Sequence, residues 1–157
     1  MSKCPTFKYS GSKAFLAPWV VGILPKTCRK YVEPFAGRGN IFYRYIHSGG
    51  KAQRYILNDK FNSDWLTAVK IYDGDWGFVD DYPIDRNTFN RWLHSAESLE
   101  RTIAACWVSY QGNRYRGIDG RVLGCNVTGS SGNRHSKKHT IQRLKSAQAY
   151  LKRSEIY

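Results

Sequence analysis

The sequence predicts an α/β chain built on a doubly wound parallel sheet, and three observations carry that prediction. A short apolar stretch runs into Pro34 and a Gly-x-Gly loop at Gly37 and Gly39. The loop opens an amphipathic segment, and a second apolar stretch then ends on Asp59, 20 residues after Gly39. Strand, glycine loop, helix, strand and strand-end acid, in that order, open a parallel sheet with crossover helices. A length of 157 residues leaves room for one domain or one domain with an insertion.

The elements follow in chain order. Pro18 suits the first turn of a helix running to about Leu24, because first-turn amides need no intrahelical acceptor. Lys30-Tyr31-Val32-Glu33-Pro34-Phe35 reads as a buried strand ending at a proline. Asn40 is placed to cap a helix whose apolar face is Ile41, Phe42, Tyr45 and Ile46, and Ser48-Gly49-Gly50 stops it. Arg54-Tyr55-Ile56-Leu57-Asn58-Asp59 is the second strand. Asn62 or Ser63 then caps a helix carrying Trp65, Leu66, Val69 and Tyr72. Helices are predicted over 86–95 and 97–109, and another over 138–152 with Ile141, Leu144, Ala147 and Leu151 on one face. Ser154-Glu155-Ile156-Tyr157 begins a further strand. Trp65, Trp76, Trp92 and Trp107 fall in or near these helices and are expected in the core.

Composition narrows the partners. Lys and Arg number 25 against 12 Asp and Glu, a net charge of +13 with pI ≈ 9.8, which points to a polyanion, most often nucleic acid. The charge is blocked. Residues 1–59 hold ten basic and two acidic groups, residues 60–100 four and eight, and residues 101–157 eleven and two. The last block mixes charge with glycine and rings: Tyr110-Gln111-Gly112-Asn113-Arg114-Tyr115-Arg116-Gly117. Six glycines between Gln111 and Arg134 disfavour a helix and suit a hairpin or loop. Arg114, Tyr115, Arg116, Arg121, Arg134, Lys137 and Lys138 are therefore the predicted DNA contacts: Arg forks and lysines for phosphate, the Tyr115 ring for a base.

Other classes recede. Cys4, Cys28, Cys106 and Cys125 form no CxxC pair and have no histidine at zinc-ligand spacing, so they read as reduced thiols and no metal is expected. The apolar run Ala14–Leu24 is too short to span a bilayer, and no small-residue cleavage site follows it. A cytoplasmic protein is expected.

Glycines let the backbone approach a ligand at the carboxyl ends of the strands, and an acid at the second strand's tip can accept both hydroxyls of a ribose. The plainer alternative is a tight turn with Asp59 capping a helix. The third glycine of the dinucleotide fingerprint is missing, with Phe42 in its place. Glu33 at the first strand's tip would repel a pyrophosphate and could hold the ammonium of a methionine moiety. Both departures favour S-adenosylmethionine over NAD, which leaves a nicotinamide oxidoreductase well behind.

Three motifs then make the sequence recognisable: Lys8-Tyr9-Ser10-Gly11-Ser12-Lys13, Tyr31 to Phe42 (containing Glu33-Pro34-Phe35-Ala36-Gly37-Arg38-Gly39), and Ile56-Leu57-Asn58-Asp59. In this order and near this spacing they resemble the Dam-like adenine-specific DNA methyltransferases, faintly so from about 75 to 140. The resemblance implies a Rossmann-like fold, incomplete in this chain, with an inserted, mainly helical target-recognition segment and hairpin. Residues 1–74 and 141–157 would form the partial cofactor-binding fold, and 75–140 the insertion. It implies a pocket in which Tyr9 and Lys13 close over S-adenosylmethionine, Glu33 and Phe35 line its methionine side, Gly37 and Gly39 give backbone approach, and Asp59 takes the ribose.

The same family carries an Asp/Asn/Ser-Pro-Pro-Tyr/Phe tetrad that holds the target adenine's amine. Here the five prolines stand at 5, 18, 25, 34 and 83, none adjacent to another. Asp81-Tyr82-Pro83 lacks the second proline, so no catalytic residue is assigned. The expectation is the cofactor- and DNA-binding part of an adenine methyltransferase acting on double-stranded DNA, with a second polypeptide supplying the tetrad. The alternative is a catalytically inactive DNA-binding remnant.

Overall fold

The computed structural model describes residues 4–7, 11–79, 98–108 and 137–157. In chain order these form α1 (Ala17–Ile23), β1 (Thr27–Glu33), α2 (Asn40–His47), β2 (Lys51–Leu57), α3 (Ser63–Ile71), a 3-10 turn (Trp76–Val79), α4 (Leu99–Val108), α5 (Lys137–Leu151) and β3 (Ser154–Ile156). The strands make one parallel sheet in the order β1-β2-β3, with Tyr31 beside Tyr55 and Tyr55 beside Ser154. This is a mixed α/β unit, consistent with part of a Rossmann-like methyltransferase fold. The predicted helix over 86–95 and the hairpin between Gln111 and Arg134 lie outside the described residues. So do most of the residues that would divide the chain into fold and insertion.

Both early strands begin three residues sooner than the sequence suggests, at Thr27 and Lys51, and end two sooner, at Glu33 and Leu57. Their opening halves, Thr27-Cys28-Arg29-Lys30 and Lys51-Ala52-Gln53-Arg54, are largely exposed, so they carry no apolar signature. Their ends peel away because Pro34 has no N–H for the ladder and because Asn58 and Asp59 turn to hold the loops. The tips stay joined: the Asn58 N–H donates to the Glu33 carbonyl and the Ala36 N–H to the Asn58 carbonyl, both at 2.9 Å.

Right-handed crossovers between adjacent parallel strands put α2 and α3 on one face of the sheet. Tyr31, Glu33, Tyr55, Leu57 and Ser154 are buried on that face, while Lys30, Val32 and Arg54 are exposed on the other. Among the described residues the second face has no helix over it. The core is strongly aromatic: Tyr31 stacks on Tyr45 at 4.8 Å, and Phe7 meets Trp65 edge-on at 4.9 Å. Trp65 and Trp76 are buried as the sequence predicts, and Trp92 lies outside the described residues. No helix among the described residues is long and apolar enough to cross a membrane.

Asn40 corrects the sequence reading. It is the first residue of α2, not its cap; the capping position belongs to Gly39, at φ 77°. The Asn40 amide accepts from the Phe7 N–H, donates to the Phe7 carbonyl, and donates to the Ser12 hydroxyl, each at 2.9 Å. One buried side chain thus ties the N-terminal segment to the glycine loop. Asn40→Ala strands two buried backbone groups, and the expected loss is about 2–4 kcal/mol, read as a lowered urea midpoint. Asn62 stands at the cap position of α3 but gives it no side-chain cap; its N–H and side-chain amide are both taken by Asp59 Oδ1.

Candidate cofactor site at the strand tips

Two loops at the carboxyl ends of β1 and β2, residues 34–39 and 58–62, face each other across the sheet's upper rim. Asp59 locks them. Its Oδ2 accepts the Gly37 N–H at 2.7 Å, and its Oδ1 accepts the N–H groups of Phe61 (3.0 Å) and Asn62 (2.9 Å) and the Asn62 side-chain amide (3.0 Å). Burial pushes the Asp59 carboxyl up, but these four donors together outweigh it and hold it below the usual carboxylate range. Asp59 therefore holds the turn that leads into α3 and clamps the glycine loop at once. The Asn58 amide adds a bond to the Pro34 carbonyl at 2.9 Å.

The glycines are needed for conformation. Gly37 and Gly39 both have positive φ, 58° and 77°, which side chains with a Cβ rarely adopt. A Cβ on Gly39 would stand 2.8 Å from the Tyr43 ring. Gly39→Ala is expected to cost about 1–3 kcal/mol of backbone strain and to displace Tyr43, a change visible as a lowered melting temperature.

Glu33 is the unusual group. It ends β1 only 7% exposed, and its Oε2 accepts the Tyr31 hydroxyl at 2.8 Å. Its Oε1 is buried with no hydrogen-bond partner. Burial pushes the carboxyl up to about 7, against the pull of the Tyr31 hydroxyl, the Lys13 ammonium and the Phe42 N–H. A buried carboxylate oxygen that lacks a donor is costly unless something supplies one. The chemistry that would satisfy it is a cation with N–H groups.

Lys13, Glu33, Phe35, Gly37, Gly39 and Asp59 are all brought to this rim. Lys13 reaches over it, its Nζ donating to the Phe35 carbonyl at 2.7 Å. The Phe35 ring is 74% exposed. Tyr9 lies outside the described residues, as do Arg114, Tyr115, Arg116, Arg121 and Arg134. Lys137 and Lys138 stand in the first turn of α5.

Three contributors escape the sequence reading. Tyr31, read as strand core, is the donor that orients Glu33. Arg38 is buried against the Trp65 ring at 5.4 Å; nothing in a Gly-Arg-Gly triplet announces a buried guanidinium. Phe61 presents an exposed ring beside Asp59, and an aromatic two residues past a strand-end acid is a signal that could have been used. Among the described residues no cluster of three or more His, Cys, Asp or Glu is placed to hold a metal.

Residues 9–77 match the family model of the D12 class N6 adenine-specific DNA methyltransferases. That stretch contains both rim loops and every predicted cofactor residue, so the resemblance read from the three motifs holds where the site is built. A search of curated proteins finds no match to the chain.

Proposed function

We propose that this chain is the cofactor- and DNA-binding part of a DNA adenine methyltransferase using S-adenosylmethionine, with the catalytic tetrad supplied by a second polypeptide. The observation that carries this is the buried Glu33 carboxylate, whose Oε1 has no hydrogen-bond partner, beside a glycine loop fixed by Asp59, within the stretch that matches the family. When bound, the cofactor supplies an electrophilic methyl group. Glu33 would take its ammonium, Lys13 its carboxylate, and the remaining lone pairs of Asp59 Oδ2 the ribose. Gly37 and Gly39 would admit it against the backbone, with Phe35 on the methionine side and Tyr9 closing over it. Phe61 offers a ring on which the adenine would stack.

These residues bind and orient; none of them activates the target amine. In this chemistry, alignment of amine, methyl and sulfur provides most of the acceleration, and the target base must leave the duplex to reach the site. The partner's tetrad would hold that base. Arg114, Arg116, Arg121, Arg134, Lys137 and Lys138 would contact the phosphates of double-stranded DNA, and Tyr115 a base. Binding should then weaken steeply with salt.

The absence of adjacent prolines also favours a second reading, a DNA-binding remnant without chemistry. One assay separates them: the protein is co-expressed with a polypeptide carrying an Asp-Pro-Pro-Tyr-type tetrad and given DNA and methyl-labelled cofactor. Label on adenine is the expected result. Salt-dependent DNA binding without label under any partner condition would favour the remnant.

A further inference from the structure

The opening residues of β1 and β2 enclose a second recess, at the end of the sheet opposite the cofactor rim. A cleft of about 700 Å³ is lined by Thr27, Cys28 and Arg29 from one strand and by Lys51, Ala52 and Gln53 from the other. Thr27 stands beside Lys51 in the ladder, and Cys28 beside Ala52. Thr27 and Glu33 open and close β1, and at about 3.3 Å per residue the cleft lies about 20 Å from the rim. Buried tyrosines fix the backbone of its walls. The Tyr45 hydroxyl donates to the Pro25 carbonyl at 3.0 Å and lies 3.3 Å from the Lys51 carbonyl. The Tyr55 hydroxyl accepts the Ala52 N–H at 2.8 Å. Both rings pack on Tyr31, at 4.8 Å and 6.1 Å between centroids. The half-buried Cys28 thiol lies 3.6 Å from the Tyr45 hydroxyl.

The lining is rich in donors, and none of its six residues is acidic. Arg29, Lys51, Thr27 and Gln53 are exposed. Among the described residues neither Arg29 nor Lys51 meets a carboxylate, whereas Arg54, farther along β2, is paired with Glu155 at 2.7 Å. Lys26 adds a third cation beside the cleft, its carbonyl accepting the Lys51 N–H at 2.9 Å. We infer that this cleft is a binding site for a phosphate group, carried on a nucleic-acid segment other than the one whose base enters the rim, or free in solution. An arginine, a lysine, a threonine hydroxyl and a glutamine amide are the side-chain types that hold backbone phosphates. Phosphate oxygens spread tetrahedrally and can meet donors from two strands, while the two oxygens of a carboxylate share one plane. An anion also relieves the mutual repulsion of Lys26, Arg29 and Lys51. Cations that serve only solubility need no fixed backbone under them; here both walls are held by buried hydroxyls, which is preorganisation for a ligand.

The test uses the full chain and reads the cleft locally, through the rate at which iodoacetamide labels Cys28, followed by peptide mass spectrometry at fixed ionic strength. The probes are inorganic phosphate and a short oligothymidylate; an oligonucleotide held elsewhere on the chain leaves Cys28 unprotected. Labelling is expected to slow about tenfold when a probe stands at ten times its dissociation constant. In the Arg29→Gln/Lys51→Gln variant, whose changes fall on exposed positions, labelling should be indifferent to both probes with the circular dichroism spectrum unchanged. Phosphorus NMR of inorganic phosphate, broadened by the parent protein and not by the double variant, gives a second reading that does not depend on the thiol. Protection by oligothymidylate at lower phosphate concentration than the free ion requires assigns the site to nucleic acid, and the reverse order assigns it to free phosphate; both support it. Absence of protection and of broadening, or protection that persists in the double variant, overturns the proposal. Protection by oligoglutamate and by neither phosphate probe would give the cleft to an acidic protein segment and also overturn it.

Discussion

Replacing Glu33 by glutamine is expected to stabilise the free protein while weakening its hold on the cofactor. The carboxyl moves from an ordinary 4.5 to about 7 on folding, so the folded state binds a proton more tightly than the unfolded chain. The sign follows: stability is highest below pH 4.5, falls as pH rises toward 7, and stays low above it. At about 1.4 kcal/mol per unit the cost reaches about 3 kcal/mol at neutral pH. Glutamine keeps an oxygen for the Tyr31 hydroxyl and carries no charge to bury. Urea unfolding at pH 8 should show Glu33→Gln more stable by about 2–3 kcal/mol, with the slope between pH 5 and 7 flattened. The same variant loses the ion pair to an ammonium, and cofactor affinity should fall at least about tenfold. A variant that is both less stable and unchanged in binding would show that Glu33 is an ordinary core acceptor.

Asp59→Ala carries the second large effect. It removes four hydrogen bonds that join the tip of β2, the start of α3 and the Gly37 loop. Bonds to a charged acceptor contribute about 1.5–3 kcal/mol each, do not add fully, and are partly replaced by water at this half-buried site, so about 2–4 kcal/mol is expected. The carboxyl lies below its ordinary 3.8, so its contribution is complete above that pH and is lost as pH falls through the lowered value. Asp59→Asn separates scaffold from ligand. It retains an oxygen for Phe61 and Asn62 and should lose only about 1 kcal/mol. Binding should nevertheless drop about tenfold or more if both ribose hydroxyls need the carboxylate.

Much of this was legible in the sequence, for identifiable reasons. The β1–α2–β2–α3 succession shows because apolar spacing changes from strand to helix at Gly37–Gly39 and again after Asp59. The strand starts do not show, because Thr27, Arg29, Lys51 and Gln53, ahead of the Lys30 and Arg54 where the sequence reading begins, are exposed and carry no apolar pattern. Of the six rim residues that the structure describes, Gly37, Gly39, Asp59 and Glu33 were found from the glycine loop and the strand tips, and Lys13 and Phe35 only through the resemblance of the motifs. The state of Glu33 was not, because its missing partner and its burial depend on Tyr31, Phe42 and Lys13 arriving together from three segments. Asn40 was misread for a related reason: its partners Phe7 and Ser12 lie 33 and 28 residues away, whereas a cap is argued from immediate neighbours. Trp19 and Ile23 look like core in any apolar count, and only the packing of α1 on α2 through Ala17 and Val21 shows them exposed.

The most direct measurement is calorimetric titration of the full chain with S-adenosylmethionine at pH 6 and pH 7.5, in buffers of different ionisation heat. If Glu33 receives the ammonium, binding saturates at one site per chain, is tighter at pH 7.5, and releases part of a proton at pH 6 as the carboxyl near 7 gives way to a carboxylate. Glu33→Gln abolishes both the release and the pH dependence. Absence of heat at either pH, or binding of equal strength with no proton released, would contradict it.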